Sequence, residues 1–129
     1  MTADHASAAQ PAGDRTTTDG GAVESVRVVL AALADPTRRQ LLDVLVDAGQ
    51  ASATALAHRL PVSRQAVVKH LHILETAGLV ERARSGREVL YSVHRGPLDA
   101  SARWLADLAA TWDRRLNALK RAAEETTGN

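Results

Sequence analysis

Gln65, Lys69, His72 and Thr76 recur at steps of four and three, so at 100° per residue they share one face of a helix, with Val68 at its edge. The chemistry these side chains offer suits the edge of a nucleic-acid base pair. A glutamine amide can pair bidentately with adenine, Lys69 can meet guanine or a phosphate, His72 a phosphate or a base, and the Val68 methyls a thymine methyl. Just before them, Ser63 and Arg64 can hold phosphates. Downstream, Arg82, Arg84 and Arg87 flank Ser85-Gly86, a cationic turn able to reach backbone phosphates or the minor groove. The partner these residues predict is double-stranded DNA.

Other chemistries find little support. The chain has no Cys, which excludes disulfides, thiolate metal sites and cysteine nucleophiles and suits an intracellular protein. His70 and His72 are two residues apart on a helix and point about 200° away from each other, so they cannot chelate one ion together. His70, at the edge of the apolar stripe, reads as structural, while His58 and His94 have no evident partner. Asp43 and Asp47 read as a solvated face. There is no phosphate-binding glycine loop, nucleophile elbow or His-Glu-x-x-His. The expectation is a protein that is not an enzyme and has no metal or cofactor; the sequence names no small-molecule effector.

The elements that must position the polar face follow from local signals. Ser63 can cap the helix, preceded by Pro61, and Val67, Leu71 and Leu74 form its buried side. Gly78 supplies a left-handed stop, and LVERAR and EVLYSV then read as two strands turning at Ser85-Gly86. A short helix from about Ser52 to Leu60 precedes, with Ala53, Leu56, Ala57 and Leu60 inward, and only Pro61 and Val62 separate the two, which is helix-turn-helix spacing. Before it, Asp35-Pro36 opens a helix whose buried stripe is Leu41, Leu42, Leu45 and Val46, ended by Ala48-Gly49. A first helix runs from about Val23, with Val26, Leu30 and Leu33 at helical spacing. After Gly96-Pro97 a long helix spans about Leu98 to Glu125, with Leu105, Leu108, Trp112, Leu116 and Leu119 in one stripe and Trp104 alongside. That stripe wants a partner; it reads best as a dimer interface, and alternatively as the lining of an apolar effector pocket. Residues 1–21 and 126–129 read as disordered ends, leaving one domain over 22–125.

Composition agrees with a single small domain. The 129 residues hold 45% hydrophobic but only 2% aromatic residues, so the core must be Ala, Val and Leu, and such a thin core favours oligomerisation. No apolar run is long enough to span a bilayer, and a soluble, cytoplasmic protein is expected. Net charge is +1, yet residues 36–95 carry nine Lys and Arg against five acidic groups, placing the positive excess on the proposed DNA-binding segment.

The run ALADPTRRQLLDVL, the helix-turn-helix and KHLHILETAGLVERARSGREVLYSV together resemble the ArsR-type winged helix-turn-helix repressors, from about Val26 through the final helix. The resemblance implies a mainly α fold with a small β-hairpin: four helices, two strands and a long last helix. It further implies a homodimer through the first and last helices (Val26, Leu30, Leu33, Trp104, Leu105, Leu108, Trp112, Leu116, Leu119) and a sequence-specific repressor on an imperfect palindrome. The chain departs from the metal-sensing members. ASATALAHRL carries no thiol in the helix before the turn, and Asp99-Ala100-Ser101 lacks the histidine of an Asp-x-His pair, so the resemblance is to members without those motifs. Two other readings remain at this stage: a winged-helix module that binds protein and not DNA, and a ligand or metal sensor with a non-standard site.

Overall fold

The computed structural model describes the backbone of residues 14–128 and the side chains of residues 20–127. Helix α1 (Asp14–Leu33) starts well before the apolar spacing begins at Val23. Residues 14–21, expected as tail, therefore belong to a helix; residues 1–13 of that expected tail lie outside the described residues. The polar run DRTTTDGG has no apolar period for a sequence reading to detect, but a nucleated helix gains one hydrogen bond per added residue and needs none. At its other end α1 is closed by arginines. Arg38 donates to the carbonyls of Ala32 (2.7 Å) and Ala31 (3.2 Å), and Arg39 to that of Leu33 (2.6 Å), supplying donors to carbonyls the helix leaves free.

Asp35 caps helix α2 (Pro36–Ala48), its carboxylate accepting from the Arg38 amide at 3.0 Å, and this bond holds the Asp35 carboxyl below its usual range. Leu41 and Leu45 are fully buried and Leu42 partly, but Val46 is 63% exposed. The expected four-residue stripe is thus narrower: Val46 lies one residue past Leu45, on the flank that no other described element covers. Helix α3 (Ala53–Arg59) and helix α4 (Arg64–Thr76) follow, capped by Ser52 and Ser63 through 3.1 Å bonds from the amides of Ala55 and Ala66.

Helix α4 ends as its sequence predicts. Gly78 has φ +80°, its amide donates to Glu75 O (2.9 Å) and that of Leu79 to Leu74 O (2.9 Å), the paired bonds of a Schellman stop. The same glycine has a second duty, because a Cβ there would stand 3.1 Å from Pro97 Cγ.

Strands β1 (Val80–Ser85) and β2 (Glu88–Val93) pair antiparallel, from Val80 opposite Val93 to Ser85 opposite Glu88. The two turn residues are therefore Gly86-Arg87, one position later than expected. Gly86 alone takes positive φ (+64°), the pattern of a type II′ hairpin with glycine at the first central position. Ala51 adds a bridge to Tyr91, so the segment between α2 and α3 edges the hairpin. Helix α5 (Gly96–Gly128) completes the chain and runs past the expected end at Glu125, with Thr126 and Thr127 hydroxyls donating to the carbonyls of Ala122 and Ala123.

The core joins α1 to α4 and the foot of the hairpin through Val29, Leu41, Leu45, Leu56, Val67, Leu71, Leu74, Leu79 and Val80, with Tyr91 its one aromatic ring. The architecture is the mainly helical winged helix-turn-helix anticipated, in the same element order. No described helix is long and apolar enough to cross a membrane.

Candidate nucleic-acid interface

Helix α4 is held by Val67, Leu71 and Leu74, all buried, and this fixes its rotation about its own axis. Gln65, Val68, Lys69 and His72 are consequently presented together on the exposed side. The Ser63 hydroxyl accepts from the Ala66 amide, so its oxygen is engaged in the cap while its own hydrogen stays free to donate. Arg64 is steered by a partner that sequence reasoning missed: its Nε donates to Thr54 Oγ1 at 3.0 Å. Thr54 lies ten residues earlier, in the first turn of α3, and only the helix-turn-helix packing brings it near; no sequence signal marks it beyond its place after the Ser52 cap.

The hairpin closes one side of this surface. A cleft between α3, α4 and the hairpin is lined by Thr54, Arg64, Val68, Arg87 and Val89, so the turn arginine and the arginine at the start of α4 flank one hollow beside the exposed face. Arg84, Ser85, Gly86 and Arg87 are all exposed. Arg82 differs from the expectation of a free phosphate donor: its Nε lies 3.1 Å from Glu75 Oε2. Residues 80, 82 and 84 alternate onto the strand face shared with Tyr91 and Val89, which turns Arg82 toward the end of α4, where Glu75 is the nearest opposite charge.

The histidines separate by environment. His72 is exposed beside Lys69. His70 is half-buried, and its Nδ1 is buried without a protein hydrogen-bond partner. His94 Nδ1 lies 3.1 Å from Gly78 O and 3.9 Å from Glu81, at the foot of the hairpin. Among the described residues no three His, Asp or Glu side chains gather into a metal site.

A second surface lies on the opposite kind of residue. Helix α1 packs along the first half of α5, where Ser101 is buried and Trp104, Leu108 and Thr111 are half-buried. Leu98, Leu105, Trp112, Leu116 and Leu119 fall on the adjoining face and stay exposed, Trp112 at 56% and Leu119 at 67%. From Trp112 to Thr127 every residue is exposed. On α1, Leu30 is exposed and Leu33 half-buried, but Val26 is only 6% exposed. Val26 is therefore corrected from interface to interior, since it has almost no surface left to give a partner. The two tryptophans differ in burial: Trp104 is half-buried, whereas Trp112 is exposed.

Comparison with known proteins agrees with this geometry. A family described as a helix-turn-helix domain matches residues 33–83. The transcriptional repressor SdpR of Bacillus subtilis is 34% identical over 77 residues, 60% of this chain and 84% of its own. Among solved structures, an ArsR-like transcriptional regulator from Rhodococcus sp. RHA1 is 46% identical with a TM-score of 0.74, covering 80% of this chain and 96% of that one. The solution structure of a homodimeric winged helix-turn-helix DNA-binding domain from Mycobacterium bovis, described as a possible ArsR-family regulator, is 29% identical with a TM-score of 0.56, covering 75% and 86%. With its capped recognition helix, basic hairpin and this degree of likeness to regulators over most of their length, the chain belongs to the ArsR-type winged helix-turn-helix transcriptional regulators.

Proposed function

We propose that this DNA-binding regulator is a homodimeric repressor that occupies an imperfect palindrome in a promoter, its own included, and so excludes polymerase. The observation that carries the reading is the polar face of α4, set between Arg64 and the arginines of the hairpin turn. Gln65, Val68, Lys69 and His72 read base edges in the major groove, while Ser63, Arg64, Arg84 and Arg87, with the exposed turn residues Ser85 and Gly86, hold phosphates. Arg82, paired to Glu75, orients the hairpin against α4 and adds only its field. The exposed apolar face of α5, with Leu30 of α1, joins two subunits, and the two-fold axis sets recognition helices about 34 Å apart in successive major grooves. The helices and hairpin from α1 through α5 form the working domain, acting in the cytoplasm on the nucleoid, with no metal, cofactor or catalytic step.

The experiment that tests this is fluorescence anisotropy on a labelled duplex from immediately upstream of the protein's own coding region, against a scrambled duplex, at two salt concentrations. Tight binding to the first, falling steeply with salt, and weak binding to the second is the expected result. Equal weak binding to both would overturn self-regulation, and absence of salt-dependent binding to any sequence recovered by genome-wide pull-down would overturn the repressor reading.

A further inference from the structure

Arg64 and Arg82 are both exposed, and each is held through Nε, but by partners of different charge. Arg82 lies 3.1 Å from the carboxylate of Glu75, which compensates its charge. Arg64 donates at 3.0 Å to the hydroxyl of Thr54, a neutral group. A hydroxyl fixes the position of a guanidinium without cancelling its charge, and a bond through Nε leaves both terminal nitrogens as a fork for an anion. The two arginines are thus prepared differently, one as a strut and the other as an open cation.

The Thr54 hydroxyl is not needed to build its own helix. Ser52 already caps α3, accepting from the Ala55 amide at 3.1 Å, and Thr54 is exposed, so its bond answers no need of the interior. What stands nearby gives the bond its use. Glu88 lines the same cleft as Thr54, Arg64 and Arg87 and is the one acidic residue of its described lining. An arginine released from Thr54 is free to turn toward that carboxylate, as Arg82 is turned toward Glu75, and a guanidinium paired there has its charge compensated before any phosphate arrives. Among the described residues Arg64 and Glu88 form no ion pair. A loose arginine also has rotamer freedom that binding must remove, and a side chain already held loses less.

We propose that Thr54 is a positioning residue of the DNA interface: it holds Arg64 by a neutral bond, away from Glu88, with the guanidinium fork presented to a backbone phosphate. The proposal deepens the reading of α4 as the DNA-binding helix and rests on it. It adds to the interface a residue of α3 that acts through Arg64, and it makes Glu88 a competitor of DNA for the same arginine.

Phosphate contacts carry no sequence information, so the test runs on the full chain with a labelled random-sequence duplex at low salt, read by fluorescence anisotropy. Thr54→Val keeps the shape and removes the acceptor; it is expected to bind about three- to tenfold more weakly than wild type, and Thr54→Ser to bind like wild type. In an Arg64→Ala background, Thr54→Val is expected to change nothing further. Glu88→Gln is expected to recover more affinity in Thr54→Val than it adds to wild type, a rescue that a merely structural bond between α3 and α4 would not show. Denaturant unfolding accompanies the series, and Thr54→Ala replaces the valine variant if that one is unstable. Binding of Thr54→Val like wild type, the same loss with and without Arg64, or an equal gain from Glu88→Gln in both backgrounds would each overturn the role of Thr54 and leave DNA binding standing. A wild-type chain without salt-dependent binding to the duplex would overturn the DNA reading of α4 and the proposal with it.

Discussion

Helices α4 and α5 share a construction and differ in what they leave uncovered. Each buries one edge against the body, through Val67, Leu71 and Leu74 in one case and Ser101, Trp104 and Leu108 in the other. The free face of α4 is polar and hydrogen-bonding; that of α5 is Leu, Trp and Leu. A polar face can stay in water until a patterned, charged partner displaces that water, whereas a contiguous apolar face is relieved only by another apolar surface. In the proposed reading the difference gives one helix to DNA and the other to protein.

The comparison can be broken most forcefully on α5. Trp112→Asp, placing a charge in a buried seam, should cost about 3 to 5 kcal/mol of association and yield a monomer with correspondingly weakened operator binding. Sedimentation velocity checks it, and an unchanged dimer would mean that α5 is not the joining face. A smaller effect is expected on α4, where it is selective. Gln65→Ala should lose about 1 to 3 kcal/mol of discrimination at one base pair, while Arg87→Ala should weaken specific and random duplexes alike and lower the salt slope by about one. Anisotropy titrations across operator variants distinguish the two; equal effects on all duplexes would remove Gln65 from base reading. The smallest effect lies where the two helices meet. Gly78→Ala meets both a left-handed backbone and the Pro97 ring at 3.1 Å, and should cost about 1 to 2 kcal/mol of stability in denaturant unfolding. No loss there would show that Pro97 yields freely.

What could be read from sequence was what neighbours along the chain decide. Ser63 as a cap, Gly78 as a stop and the 67/71/74 stripe depend on contacts within a few residues, and all three are as expected. The exposed side of α4 followed, because fixing the buried edge fixes its opposite. What the sequence could not show sits where distant segments decide. Val26 is turned inward where α1 packs along α5, and Val46 outward where no described element covers it. Arg82 was drawn to Glu75 across the gap between β1 and α4, and Arg64 to Thr54 across the helix-turn-helix. The hairpin turn slipped by one residue since SGR permits glycine at either central position, and only the strand register selects Gly86-Arg87.

The contact between Gly78 and Pro97 has a consequence for the operator. It brings the end of α4 close against the Pro97 ring at the start of α5, so in the proposed dimer the separation of the two reading heads is tied to this packing. B-DNA turns by roughly 34° per base pair, given about 10.5 base pairs per turn. A single base pair inserted between half-sites would rotate one of them well out of reach of a head that cannot swivel to follow. In the proposed dimer the length of the spacer is therefore read together with the bases on either side of it.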